Sequence, residues 1–141
     1  MKYAFGFCAV ALMLIVAGCK DTDNAAKWVG TYKQVAGGTG SVNQVEVQEN
    51  NSNTIRLLAD TVLATPVNGI SVFTRATFQS VKLQSANTGL IDEDVTITGS
   101  TKTFHAVGTA TLNGTSLQIV GTAVSTDSSQ VLGLNFAGTK Q

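Results

Sequence analysis

The chain has 141 residues, nine basic and nine acidic side chains, one histidine, one proline and two cysteines. That length suits one domain, and so even a balance of charge excludes the basic footprint of a nucleic-acid-binding protein. Threonine, valine and isoleucine recur while long runs of helix formers are absent after residue 18, which points to strands, because β-branched side chains fit a pleated surface.

Lys2 opens the chain with a positive charge, and Ala4 to Ala17 is an unbroken run of apolar and small residues, 14 long. That is the pattern of a secretory signal, and it is shorter than the roughly 17–25 apolar residues a bilayer-spanning helix needs. The run stops at Gly18-Cys19, and Lys20, Asp21 and Asp23 follow at once.

Val16-Ala17-Gly18-Cys19 resembles the lipobox of bacterial lipoproteins. The resemblance implies cleavage between Gly18 and Cys19, a diacylglyceryl group on the Cys19 thiol, and acylation of the new amine with a palmitate-like chain. Two or more acyl chains hold a protein durably at a membrane, since each buried methylene contributes about 0.8 kcal/mol. Residues 1–18 are then a signal-peptide helix and 19–27 a lipidated tether. The order Cys19-Lys20-Asp21-Thr22-Asp23 departs from the inner-membrane retention signal, which has Asp directly after the cysteine. It looks like the surface-export tag of lipoproteins in the Bacteroidetes group. The implied address is the outer membrane, with the periplasmic and cell-surface leaflets both open. Cys8 falls in the discarded signal, so no thiol remains in the folded domain for a disulfide, a metal or a nucleophile.

Residues 28–141 form the single β domain. A helical turn is expected at Asn24-Ala25-Ala26-Lys27, and the first strand over Trp28 to Ala36, with Trp28 and Tyr32 on one face. Trp28-Val29-Gly30-Thr31-Tyr32 resembles the opening strand of small bacterial lipocalin-like lipoproteins, in which an aromatic-Gly-Thr-aromatic stretch begins a barrel. The resemblance implies a barrel fold and, as one option, a small apolar ligand inside it. Gly37-Gly38-Thr39-Gly40-Ser41 lacks the lysine and the helix of a phosphate loop and reads as a turn.

In Val45-Glu46-Val47-Gln48 and Ile55-Arg56-Leu57 the apolar pairs alternate. The alternation predicts a hairpin with Val47 facing Ile55, Val45 facing Leu57 and Glu46 opposite Arg56, around an odd loop at Asn50-Asn51-Ser52. Pro66 and Asn68-Gly69 mark a turn. Near Phe78–Ser80 the alternation changes phase, which calls for a bulge, two short strands or a helical insert. After a turn at Asn87-Thr88-Gly89, the acids Asp92, Glu93 and Asp94 read as a charged loop before a strand at Val95–Thr98; no calcium loop is present.

Asn113-Gly114 is a strong hairpin signal. Taken as a two-residue loop, it sets Ala110 opposite Leu117 and Phe104 opposite Ala123. Phe104, Ala106, Ala110, Leu112, Leu117, Ile119 and Ala123 then share the inner face. His105, Thr109, Thr111, Ser116, Gln118 and Thr122 share the outer one, with Val107 and Val120 as exceptions. A last strand runs from Val131 to about Thr139 with Leu132, Leu134 and Phe136 inward. The sum is about eight antiparallel strands in a meander, closing as an up-and-down barrel or half-barrel, with a two-sheet sandwich as the alternative.

No constellation in the chain announces catalysis. One histidine cannot make a common zinc site, and no Gly-x-Ser-x-Gly elbow accompanies it. No metal or cofactor is implied. The functional expectation is a non-catalytic, lipid-anchored envelope lipoprotein that binds a protein partner or covers the envelope. The alternative is a carrier of a small apolar ligand.

Overall fold

Period-two alternation becomes a closed barrel in the computed structural model, which describes residues 23–35, 42–62 and 73–141. Eight strands follow in order: β1 (Gly30–Gln34), β2 (Val42–Asn51), β3 (Thr54–Val62), β4 (Phe73–Ser85), β5 (Thr88–Ile97), β6 (Thr103–Asn113), β7 (Ser116–Ser125) and β8 (Val131–Lys140). Each pairs antiparallel with the next, and β1 closes on β8 through Tyr32↔Lys140 and Lys33↔Thr139. The meander is therefore a barrel and not a sandwich. No helix occurs among the described residues. The signal segment, Gly18, Cys19, the glycine-rich stretch at 37–41 and the turn at Pro66 and Asn68-Gly69 lie outside the described residues.

The two ends of the barrel differ. At the near end lie the tight turns Ser52-Asn53, Ala86-Asn87 and Gly114-Thr115, the C-terminus, and the turn through which the chain enters. At the far end lie the connections 35–41, 63–72, 98–102 and 126–130.

Alternate side chains fill the interior. Trp28, Tyr32, Phe78 and Phe104 are at most 2% exposed and form its bulk, joined by Ile55, Leu57, Ile91 and Leu117. Trp28 lies just before β1, in a turn closed by its own N–H donating to the Ala25 carbonyl (2.9 Å). Its indole Nε1 donates to the Ala86 carbonyl (3.1 Å), and its carbonyl accepts from the Tyr32 hydroxyl (2.8 Å). Each buried aromatic thus satisfies its polar tip, as a low-dielectric interior demands.

Both expected hairpins have the expected faces and a register displaced by two. Val47 opposes Leu57 and Val45 opposes Ala59, while Arg56 lies opposite Gln48 and not Glu46. The turn is Ser52-Asn53, and a register shift between Glu49 and Asn51 absorbs the extra residue. In the second hairpin Ala110 opposes Ile119 and Phe104 opposes Ser125. The loop there is Gly114-Thr115, with Gly114 at φ 61° and no positive φ at Asn113. That is glycine at the first central position, the type II′ requirement, in place of the type I′ reading of Asn-Gly.

The phase change in β4 is a bulge within one 13-residue strand. Between Thr77↔Thr96 and Lys82↔Leu90 the β4–β5 ladder is interrupted, with four residues on β4 against five on β5. The acids Asp92, Glu93 and Asp94 consequently sit inside β5, not in a loop before it. Glu93 reaches across the gap. Its carboxylate accepts from the Gln79 N–H (2.7 Å) and the Ser80 N–H (3.0 Å). The Asn50 side-chain amide donates to the Gln79 carbonyl from the other side. The backbone groups that the bulge removes from the ladder are thereby paired again.

Candidate functional site

His105 projects from the outer face of β6, as alternation places it, and is half exposed. Asp94 of β5 is its direct cross-strand partner, and Asp92 lies two residues away on the same face. The ring sits between them: Nδ1 is 2.9 Å from Asp94 Oδ1 and Nε2 is 3.2 Å from Asp92 Oδ1. Two nitrogens each facing a carboxylate oxygen are satisfied together only when both carry protons. The hydrogen bond to Asp94, aided by the charges of Asp94 and Asp92, raises the His105 pKa above its ordinary value. What this arrangement does chemically is hold a proton. A general base would need a ring nitrogen with a free lone pair, and both are engaged.

Sequence reasoning put His105 on the wet face and missed its partners, because the strand begins at Thr88 and not at Val95. The signal was available. Ile91 and Val95 share a parity and are both buried, which leaves Asp92 and Asp94 on the opposite face.

A second polar cluster closes the far end. Asp127 Oδ1 accepts from the Ser125 hydroxyl (2.6 Å), the Ser129 hydroxyl (2.7 Å) and the Ser129 N–H (3.1 Å). Its Oδ2 meets Lys102 Nζ at 2.8 Å, and the same ammonium donates to the Ser129 hydroxyl. Led by the Lys102 hydrogen bond, these contacts hold the Asp127 carboxyl well below the usual carboxylate range. Ser128 takes a left-handed φ of 57° between them. The Ser129 hydroxyl proton is committed to Asp127, so the cluster clamps a turn instead of presenting a nucleophile. Arg75 and Asp60, a cross-strand pair on β4 and β3, form a two-pronged ion pair of 2.6 and 3.0 Å. Among the described residues no group of three His, Cys, Asp or Glu converges to hold a metal ion.

Inside the barrel, a space lined by Val42, Val45, Phe78, Ile119, Leu134 and Phe136, among others, amounts to about 10 Å³. That is room for about one water molecule. Leu132, expected inward, has the inward parity but is 39% exposed near the far end of β8, in a stretch where β8 has no described partner in β1.

The entry to the barrel is the element nearest the expected lipid site. The Asn24 and Ala25 N–H groups both donate to the Ser52 carbonyl (3.2 Å each). Asp23 Oδ1 accepts from the Ala26 N–H (3.1 Å), and Ala25 is fully buried. The segment read as a polar tether is therefore fastened to the near end from Asp23 onward.

No family model matches the chain, and no curated protein matches it. Among solved structures it is similar to one described as a redesigned beta barrel, with 18% sequence identity, a TM-score of 0.50, and coverage of 84% of this chain and 96% of that one. At that identity the likeness is one of fold.

Proposed function

We propose that the chain is a bacterial outer-membrane lipoprotein, cut after Gly18 and anchored by acyl chains on Cys19, whose barrel serves as a non-catalytic binding or structural module. The observation that carries this reading is the spacing between anchor and body. Cys19 precedes Asp23 by four residues, and from Asp23 the chain is tied to the barrel's near end by the Ser52 carbonyl and the buried Ala25 and Trp28. A tether that short holds the near end against the bilayer, because four extended residues span only about 14 Å. The far-end connections then point away from the membrane, where a protein partner reaches them. The outward faces of β2 to β5 carry Glu46, Arg56, Asp60, Arg75, Lys82, Asp92 and Asp94, the reverse of the apolar band of a membrane-spanning barrel. The barrel therefore stands on the membrane, held by its lipid.

A carrier of a small apolar ligand needs a cavity of about 300 Å³ or more. The aromatic filling by Trp28, Tyr32, Phe78 and Phe104 favours the binding or structural module over the carrier.

The test is mass spectrometry of the tryptic N-terminus of the protein purified from native membranes. The expected peptide begins at Cys19 and carries a diacylglyceryl group and an amide-linked chain. A Cys19→Ser variant is expected to stay uncut and unacylated. A mature protein beginning elsewhere, without acyl groups, overturns the reading.

A further inference from the structure

The outer wall of the barrel divides into two halves of different chemistry. From Thr103 to Thr139, Asp127 is the one Asp, Glu, Lys or Arg in the sequence, and it lies in the β7–β8 connection. The outward positions of β6, β7 and β8 consequently carry none. They present valine, threonine, alanine, asparagine and glutamine, with Val107, Val120 and Val131 48%, 50% and 66% exposed. A soluble surface normally interleaves about 25–35% charged residues, and depletion of charge marks the core of a protein interface.

We propose that this wall docks against the same wall of a second copy of the chain, around a two-fold axis. Charge placement selects the occupant. The wall is bordered on one side by Asp92 and Asp94 of β5 and on the other by Lys33 of β1. Read across the ladders, Asp94 lies level with His105 and Val124. Lys33 lies level with Thr139 and Ser116, at the other end of β7. The acidic and basic groups thus occupy diagonally opposite corners of the wall. A two-fold axis along the other diagonal carries the acidic corner of each copy onto the Lys33 of its partner, twice over. A surface with that placement is complementary to itself, as a symmetric dimer requires.

Size is compatible. Three strands of ten residues cover about 14 by 33 Å. With the bordering corners on β5 and β1 added, the patch approaches the roughly 800 Å² per partner of a standard interface. Val120, midway along the central strand, lies at the middle of the contact.

The experiment is native mass spectrometry of the full-length chain in detergent, across protein concentration, with folding of each variant checked by circular dichroism. A dimer is expected for the parent. Val120→Lys and, independently, Thr109→Lys should weaken it by tenfold or more, as charging an interface centre does. Lys82→Glu on the opposite wall should leave it unchanged. Lys33→Glu should weaken it, and adding Asp94→Lys to that variant should restore it. A parent that stays monomeric at about 100 μM, well above the micromolar affinity of a weak specific interface, overturns the proposal. So does a dimer indifferent to Val120→Lys. A monomeric parent released from lipid vesicles by Val120→Lys would assign the wall to the bilayer surface instead, and also overturns it.

Discussion

The β6–β7 hairpin and the β4–β5 seam close the same barrel by different means. Along β6–β7 the pairing is unbroken from Phe104↔Ser125 to Asn113↔Ser116. Curvature there comes from Gly108 and Gly121, which face each other directly; a Cβ on Gly108 would lie 2.6 Å from the Val120 carbonyl oxygen, and one on Gly121 2.5 Å from that of Val107. Along β4–β5 the ladder breaks, and the Glu93 carboxylate with the Asn50 amide takes over its hydrogen bonds. Where backbone pairs with backbone, outward side chains are left over for other uses, as on the uncharged wall. Where backbone pairing fails, polar side chains are drawn into the structure. A run of acids in the sequence can therefore be architecture.

The sharpest way to break this contrast is to fill the glycine pair. Gly121→Val should cost about 3 kcal/mol, because the added atoms meet backbone that cannot turn aside. Urea unfolding followed by circular dichroism measures it as a lowered midpoint. Next in size is the seam. Glu93→Ala removes two charge-assisted bonds and should cost about 1.5 kcal/mol, with faster amide exchange at Gln79 and Ser80 and none of it along β6–β7. Glu93→Gln should recover part of that, since its remaining oxygen still accepts. At the near end of the regular hairpin, Gly114→Ala should cost about 1 kcal/mol through its left-handed φ, again read from the unfolding midpoint.

The smallest effect is the titration of His105, where the two regions meet on the outer wall. Its folded pKa is raised. The attraction to Asp94 and Asp92 is therefore fully present below the unfolded value of 6.5 and is lost as pH rises through the folded value. An NMR titration of the ring should show the raised pKa in the parent and a return toward the ordinary value in Asp94→Asn. Asp127 has the opposite sign. Its folded pKa is lowered, so its contribution is present above 3.8 and disappears as pH falls toward the folded value.

Much of the candidate site was open to reading. His105 on the wet face follows from the alternation of Phe104 and Ala106. The clamp at 98–102 and 126–130 falls where turns were expected, although its bonds were not foreseen. Asp92 and Asp94 were missed because three adjacent acids look like loop, and the buried Ile91 that puts them on a strand comes just before them. The bulge was legible as a change of phase between Phe78 and Val81. Its clamp was not, because Asn50 and Glu93 lie 29 and 14 residues from Gln79.

By itself the sequence determined the strand class, the number of strands and which side chains face inward. It did so because alternation with period two is a local property, readable within a few residues. Register, closure and the partners of each charged group were decided by tertiary structure. A slip of two residues preserves every face, so the alternation that identifies Val45, Val47, Ile55 and Leu57 as inward cannot tell which of them meet. That choice belongs to the turn at Ser52-Asn53, the bulge beside it, and the requirement that the eighth strand come back to the first.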